Sequence, residues 1–215
     1  MKEVLEKIRI PDKNLKLSRK IINTSLIFLL GIILGIFSKW LDNLSINDTV
    51  WWQHILGVLD LGNVFSELGI WIFIAITISV FSKTPLRASL NVFLLFIGMT
   101  VSYHLYTICV SGFNPKSYMM IWYTITSISP ILAFICWYAK SKNKISLMIS
   151  SLILTVMFIL SFSIGMWYFY FKSIIDTILF LGTMTVLYTK PKNSLYSLLF
   201  AIVLTLIYSI RLYII

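Results

Sequence analysis

Seven apolar runs of similar length, each closed by charge or by a Gly/Pro break, leave this chain few ways to fold. They cover 21–38, 65–82, 88–110, 117–139, 145–164, 173–188 and 194–215, and each is close to the ~20 residues that an α-helix needs to cross a bilayer. Too little polar chain lies between them to clothe a soluble core: 12% of the residues are charged and 59% hydrophobic, whereas about a quarter of a globular chain is charged. Inside lipid every backbone N–H and C=O must find an internal partner, so runs of this length form helices. The sequence therefore predicts an all-α fold, a polytopic bundle of seven transmembrane helices at 21–215 behind a basic cytoplasmic segment at 1–20.

Charge sets the orientation. A net charge of +10 is not read as nucleic-acid binding, because the basic residues sit in short clusters between apolar runs and not on one soluble face. With the N-terminus inside, fourteen of the eighteen Lys and Arg fall on the inner side, among them Lys83, Arg87, Lys140, Lys142, Lys144, Lys190 and Lys192. Only Lys39, Lys116, Lys172 and Arg211 fall outside, together with five of the eight acids, Asp42, Asp48, Asp60, Glu67 and Asp176. This is the distribution of an N-in, C-out protein. The first run is as long as a span and lacks a small-residue cleavage pattern, so it is expected to stay as helix 1. Ahead of it, Val4, Leu5 and Ile8 share one helical face before Pro11, which suits either an interfacial anchor or a basic tail.

The long connection 40–64 is too polar to span and too apolar to float free. Trp51 and Trp52 mark it as interfacial, and it is expected to form a short surface helix that turns into helix 2 around Gly62 and Asn63. The break at Gly165 is the least marked of the boundaries, because Met166 to Phe171 is itself apolar. A faint echo relates 81–96 to 188–200, with Ser89, Leu90 and Tyr103 recurring as Ser194, Leu195 and Tyr208, and a second relates 25–40 to 151–167. Together they suggest a parallel 3+1+3 repeat around helix 4, an organisation found in carriers whose site lies between repeats.

Counting outward from the Lys83-Thr84-Pro85-Leu86 turn brings Glu67 and His104 nearly level, near the outer ends of helices 2 and 3. Ionisable groups at that depth are costly and are candidates for binding a proton or a cation, preferably as a pair; alternatively Glu67 sits in interfacial water and His104 bonds a backbone carbonyl. Thr100, His104 and Thr107 follow helical spacing on helix 3, and helix 4 presents Trp122, Thr126, Ser129 and Pro130. Pro130 has no N–H to give the Thr126 carbonyl, so it should leave a kink and a free acceptor near mid-membrane. These residues, Glu67, His104, Thr100, Thr107, Trp122, Thr126 and Pro130, form the candidate solute or proton site.

Helix 1 carries Gly31 and Gly35 in GxxxG spacing, continued by Ser38. Such a face admits another backbone, either a helix of the same chain or a membrane partner, including a second copy. No HExxH, Walker loop or GxSxG is present, and Cys109 and Cys136 lie at opposite depths, too far apart to bridge. No catalytic residue, cofactor or metal site is therefore assigned.

The stretch from Gly62-Asn63 through Trp71, the Ser82-Lys83-Thr84-Pro85-Leu86-Arg87-Ala88 turn and on to Gly98, Tyr103 and Tyr106 resembles a family of uncharacterised bacterial multi-pass membrane proteins. The resemblance covers the middle third of the chain and implies a bacterial plasma-membrane setting, with no activity to carry over. Two readings stand: a small-solute carrier or solute-binding membrane component, or a non-transporting accessory, regulatory or immunity protein that works through helix-helix contacts. An intramembrane enzyme using His104 and Glu67 for acid-base work is a third.

Overall fold

The computed structural model describes residues 8–12, 16–141, 143–165 and 167–214. The chain is all-α apart from one small hairpin. In order come α1 (Leu17–Asp42), α2 (Trp51–Val58), α3 (Leu61–Ser66), α4 (Leu68–Phe81), α5 (Pro85–Cys109), α6 (Lys116–Trp137) with a 3-10 turn at Tyr138–Lys140, and α7 (Lys144–Ser161). The hairpin strands β1 (Phe162–Ile164) and β2 (Phe169–Phe171) follow, then α8 (Ile174–Leu187) and α9 (Pro191–Ile214). Among the described residues, five helices are long and apolar enough to cross a membrane: α1, α5, α6 with its 3-10 extension, α7 and α9.

The apolar runs at 65–82 and 173–188 also become helices, but α4 and α8 have only 14 residues each. At 1.5 Å per residue they reach about 21 Å, short of the ~30 Å hydrocarbon core. Their sequences explain the shortfall, which lies at the N-terminal end of each helix. Before α4 the backbone is extended at Glu67, so the helix expected from 65 is split into α3 and α4. Before α8 the run 145–164 stops being helical at Ser161, where Phe162 pairs with Phe171 and Ile164 with Phe169. Aromatic and β-branched residues favour a pleated strand over a helix, and the backbone N–H of Gly165 bonds the carbonyl of Tyr168 to close the turn. The break at Gly165 thus exists as a hairpin.

The outer connection holds two helices where one was expected. Asp60 adopts a left-handed conformation at φ 51°, and the Asn63 side-chain amide donates to both of its carboxylate oxygens at 2.9 and 3.0 Å. The turns therefore fall at Asp60 and Glu67, while Gly62 and Asn63 lie inside α3.

Two packing groups make up the bundle. In the first, α5 is central, with α1, α4 and α6 against it; in the second, α7 is central, with α8 and α9 against it; α4 and α8 join the two. A parallel 3+1+3 repeat would match α1 with α7 and α5 with α9, placing α9 in the middle of the second group. Here α7 holds that place and α8 barely touches α9, so helix packing follows a mirrored order in place of the repeated one.

The α1–α5 seam shows what the small residues of helix 1 do. A Cβ on Gly31 would collide with the Leu95 carbonyl, one on Gly35 with the Met99 carbonyl and the Ser102 hydroxyl, and one on Gly98 would stand 2.7 Å from the Phe28 carbonyl. Ser38 is buried. The glycine face is therefore occupied by α5 of the same chain, while the opposite face exposes Ile22, Leu26, Leu29, Ile33 and Ile36. Exposed Leu105, Ile121, Ile131, Leu132, Leu152, Leu181, Val203 and Ile207 continue this apolar belt around the molecule, as a lipid-facing surface requires.

At the end where α4 and α6 finish, residues 8–12 are tucked in. The Arg9 guanidinium donates to the carbonyls of Trp137 and Val80, the latter at 3.0 Å, and its carbon lies 4.1 Å from the Trp137 ring centroid. Carbonyl ends of helices carry partial negative charge, which suits a cation there. Burial lowers the Arg9 pKa, with a smaller opposing effect from Cys136, yet a guanidinium keeps its charge. Ser141 donates to the Ile8 carbonyl, and Lys83 pairs with Asp12 at 2.9 Å. Ile8 is thus anchored in protein; Val4 and Leu5 lie outside the described residues.

Candidate functional site

The half of the first packing group that carries α3 contains a small internal cavity whose walls come from five elements. Ser38 of α1, Phe65 of α3, Trp71 of α4, Met99, Thr100 and Tyr103 of α5, and Tyr118, Met119 and Trp122 of α6 enclose about 10 Å³, enough for no more than one water. The aromatic wall has a regular cause. Trp71 and Trp122 meet edge to face at 6.2 Å, Phe65 meets Trp71 at 5.9 Å, and Tyr118 meets Trp122 at 6.3 Å, an arrangement that places ring edges against ring faces. The indole N–H of Trp71 donates to the Phe65 carbonyl at 2.9 Å, which fixes the ring and ties α4 to the last turn of α3.

The floor is polar. Thr100 and Thr126 face one another across α5 and α6 with hydroxyls 3.1 Å apart, and the Thr126 hydroxyl also bonds the Trp122 carbonyl at 2.8 Å. Both threonines are buried, so each must spend its hydroxyl on protein.

The roof is charged. Asp42 accepts from the Tyr103 hydroxyl at 2.6 Å and from Ser66 at 3.0 Å, and lies 3.9 Å from the Lys39 ammonium. Lys39 is 7% exposed, and its ammonium also lies 5.5 Å from the Tyr103 ring and 5.4 Å from Phe113. A cation at the end of α1 is favoured by the free carbonyls of that helix as well as by Asp42. This network binds α1, α3 and α5 together above the aromatic cavity.

Of the residues expected from sequence, Thr100 and Trp122 line the cavity, and Thr126 stands behind Thr100, hydroxyl to hydroxyl. The others do not. Glu67 is exposed in the extended link before α4, and no hydrogen bond or ion pair joins it to His104 among the described residues. His104 instead spans two neighbours, with Nδ1 2.9 Å from the Tyr123 hydroxyl and Nε2 3.0 Å from the Asn114 side-chain oxygen. A neutral ring with its proton on Nε2 satisfies both contacts, and the residue ties α5 to the loop before α6. Thr107 is buried and bonds the Tyr103 carbonyl within its own helix.

The acceptor expected at Thr126 is not free, because the Ser129 hydroxyl donates to that carbonyl at 2.8 Å and replaces the N–H that Pro130 lacks. Hydroxyl side chains commonly repair helices in this way. The carbonyl of Pro130 itself accepts from Ser89 at 2.8 Å, so the proline serves the packing of α5 on α6. What the sequence reading missed are Lys39, Asp42, Ser66, Phe65, Trp71, Tyr103 and Tyr118. The available signal is the i, i+3 pair Lys39 and Asp42 closing helix 1, two charges that also fit the orientation pattern.

The arrangement defines a multi-pass helical membrane protein with an aromatic-walled, charge-roofed cavity on one side of its first packing group. Comparison with known proteins adds no closer assignment: no family model, curated protein or solved structure matches the chain.

Proposed function

We propose that the chain is a bacterial plasma-membrane carrier, or the solute-binding component of one, that crosses the bilayer seven times with its N-terminus inside, and that the cavity lined by Thr100 and Trp122 and backed by Thr126 is its solute site in a closed state. The observation that carries this reading is the break between α3 and α4 at Glu67, directly beside the cavity walled by Phe65 and Trp71. Carriers build midplane sites from interrupted helices, and irregular backbone at membrane depth is tolerated where it lines a cavity or is covered by protein. On this reading α4 completes its crossing through α3, and α8 completes its own through the hairpin at 162–171. The mirrored packing of the two groups gives the 3+1+3 repeat no support, so the proposal stands without it.

A closed cavity of this size must widen to admit a solute. The Asp42 network is the part that would open, since it joins α1, α3 and α5 through side chains alone. The accessory-protein reading loses the glycine face of helix 1 as a dock, because the Gly31 and Gly35 face is filled by α5, and keeps the segment 40–64. The enzyme reading loses the Glu67 and His104 pair.

Native mass spectrometry of protein extracted gently from its own membrane tests the carrier reading. The expected result is a stoichiometric small-molecule adduct that disappears in Trp122→Ala and in Thr100→Val. A protein adduct with no small ligand would count against it and revive the accessory reading.

A further inference from the structure

A second cavity, of about 20 Å³, lies at the opposite corner of the molecule, where α7 begins, α8 ends and α9 begins. Its polar lining is Ser146, Ser150, Thr189, Asn193, Ser194 and Ser197. The hydroxyls of Ser146 and Ser150 are spent on the Ala139 carbonyl. Those on the α9 side are not. Ser194 Oγ is buried with no hydrogen-bond partner, the one such side-chain atom among the described residues. Ser197 is 4% exposed, and like Thr189 and Asn193 its side chain makes no hydrogen bond among the described residues. A buried donor left unpaired is costly, so the Ser194 hydroxyl, set in a cavity lined by three further polar side chains that bond no protein group, points to an occupant.

Charge selects the kind of occupant. Lys144, Lys190 and Lys192 are exposed beside the lining residues and have no carboxylate partner among the described residues. The one acid between 143 and 214 is Asp176, in the first turn of α8 and so at the far end of that helix from the cavity. Hydroxyl and amide donors on segments that also carry Lys144, Lys190 and Lys192 favour an anion whose oxygens accept several bonds. The cavity admits a single oxygen, so the group would seat one oxygen among Ser194, Ser197 and Asn193 while the rest stays at the mouth among the lysines.

We propose that this corner binds a phosphoryl group, either the headgroup phosphate of an anionic lipid or a free phosphate. The proposal is independent of the carrier reading, since it concerns the other packing group.

Delipidated protein in detergent would be titrated with phosphatidylglycerol, phosphatidylcholine and inorganic phosphate, and retained adducts counted by native mass spectrometry. The wild type would be compared with Ser194→Ala/Ser197→Ala and with Lys144→Gln/Lys190→Gln/Lys192→Gln, each checked for folding by its lipid-free melting temperature. The expected result is one tightly held phosphatidylglycerol or phosphate, weakened about tenfold in each variant. Phosphatidylglycerol that resists displacement by millimolar phosphate assigns a lipid source, and displacement assigns a free phosphate. Equal retention by the wild type and both variants, or no preference over phosphatidylcholine, would overturn the proposal and leave a water-filled cavity.

Discussion

The two packing groups each pass through a Lys and Pro turn on the same side of the bundle, and the turns are finished differently. Around 82–87, Thr84 caps α5 by accepting from the Arg87 N–H, and Arg87 donates to the Lys20 carbonyl and to Thr24. Asn91 bonds Thr24, the Trp137 indole bonds the Ser82 carbonyl, and Arg9 reaches Val80. Around 188–194 the one long-range side-chain hydrogen bond among the described residues is that of Lys140, which donates to the Val186 carbonyl at 2.9 Å, while Lys190 and Lys192 are exposed and the Ser194 hydroxyl is unpaired. Ser89 and Ser194, equivalent by sequence echo, show the contrast in one atom, since Ser89 donates to the Pro130 carbonyl at 2.8 Å. Similar turns thus became a fixed corner in one group and an open one in the other. A fixed corner lets α4, α5 and α6 hold the aromatic cavity; an open one leaves donors for something outside the chain.

Substitutions can break this comparison, beginning with the seam that anchors the fixed group. Gly35→Leu would drive a side chain into the Met99 carbonyl and Ser102, where backbone cannot yield, so the cost should exceed the ~1–3 kcal/mol usual for overpacking. Size-exclusion profiles should show loss of monodisperse protein, whereas Leu199→Ala on the exposed face of α9 should leave them unchanged. Next comes Arg9→Ala, which removes two charged hydrogen bonds and the Trp137 stack, about 2–3 kcal/mol together. A clear fall in melting temperature is expected, against no shift for Lys190→Ala; equal shifts would erase the distinction between the corners.

Thr84→Ala should cost about 1 kcal/mol through loss of the α5 cap. The smallest effect separates the paired serines. Ser89→Ala should lower the melting temperature by the worth of one hydrogen bond, about 1 kcal/mol, while Ser194→Ala in lipid-free protein should leave it unchanged or raise it.

The sequence displayed what repeats along the chain and hid what depends on contact across it. Seven apolar runs became seven apolar helices because helix formation in lipid is local. The ends were harder: Phe162 to Ile164 is as apolar as the helix before it, and only pairing with Phe169 to Phe171 makes it a strand. Thr100 and Thr126 were legible from helical spacing. The Thr126 carbonyl was misread because its replacement donor, Ser129, is a matter of rotamer, and Glu67 and His104 were equal in depth without being neighbours. Arg9 and Lys39 were counted as orientation charges, although each ends in a specific network, because charge counting carries no information about which carbonyl or carboxylate a long side chain will reach.

The proposed carrier reading requires that the aromatic cavity opens past the Asp42 network to the outside of the cell. A cysteine at Thr100, introduced into a Cys109→Ala background, would be challenged in intact cells with a membrane-impermeant thiol reagent, using Asp48→Cys at an exposed position as the positive control. The account predicts labelling at Thr100→Cys, slower than at Asp48→Cys. Full labelling of the control with none at Thr100→Cys would contradict it and reduce the cavity to a sealed packing defect.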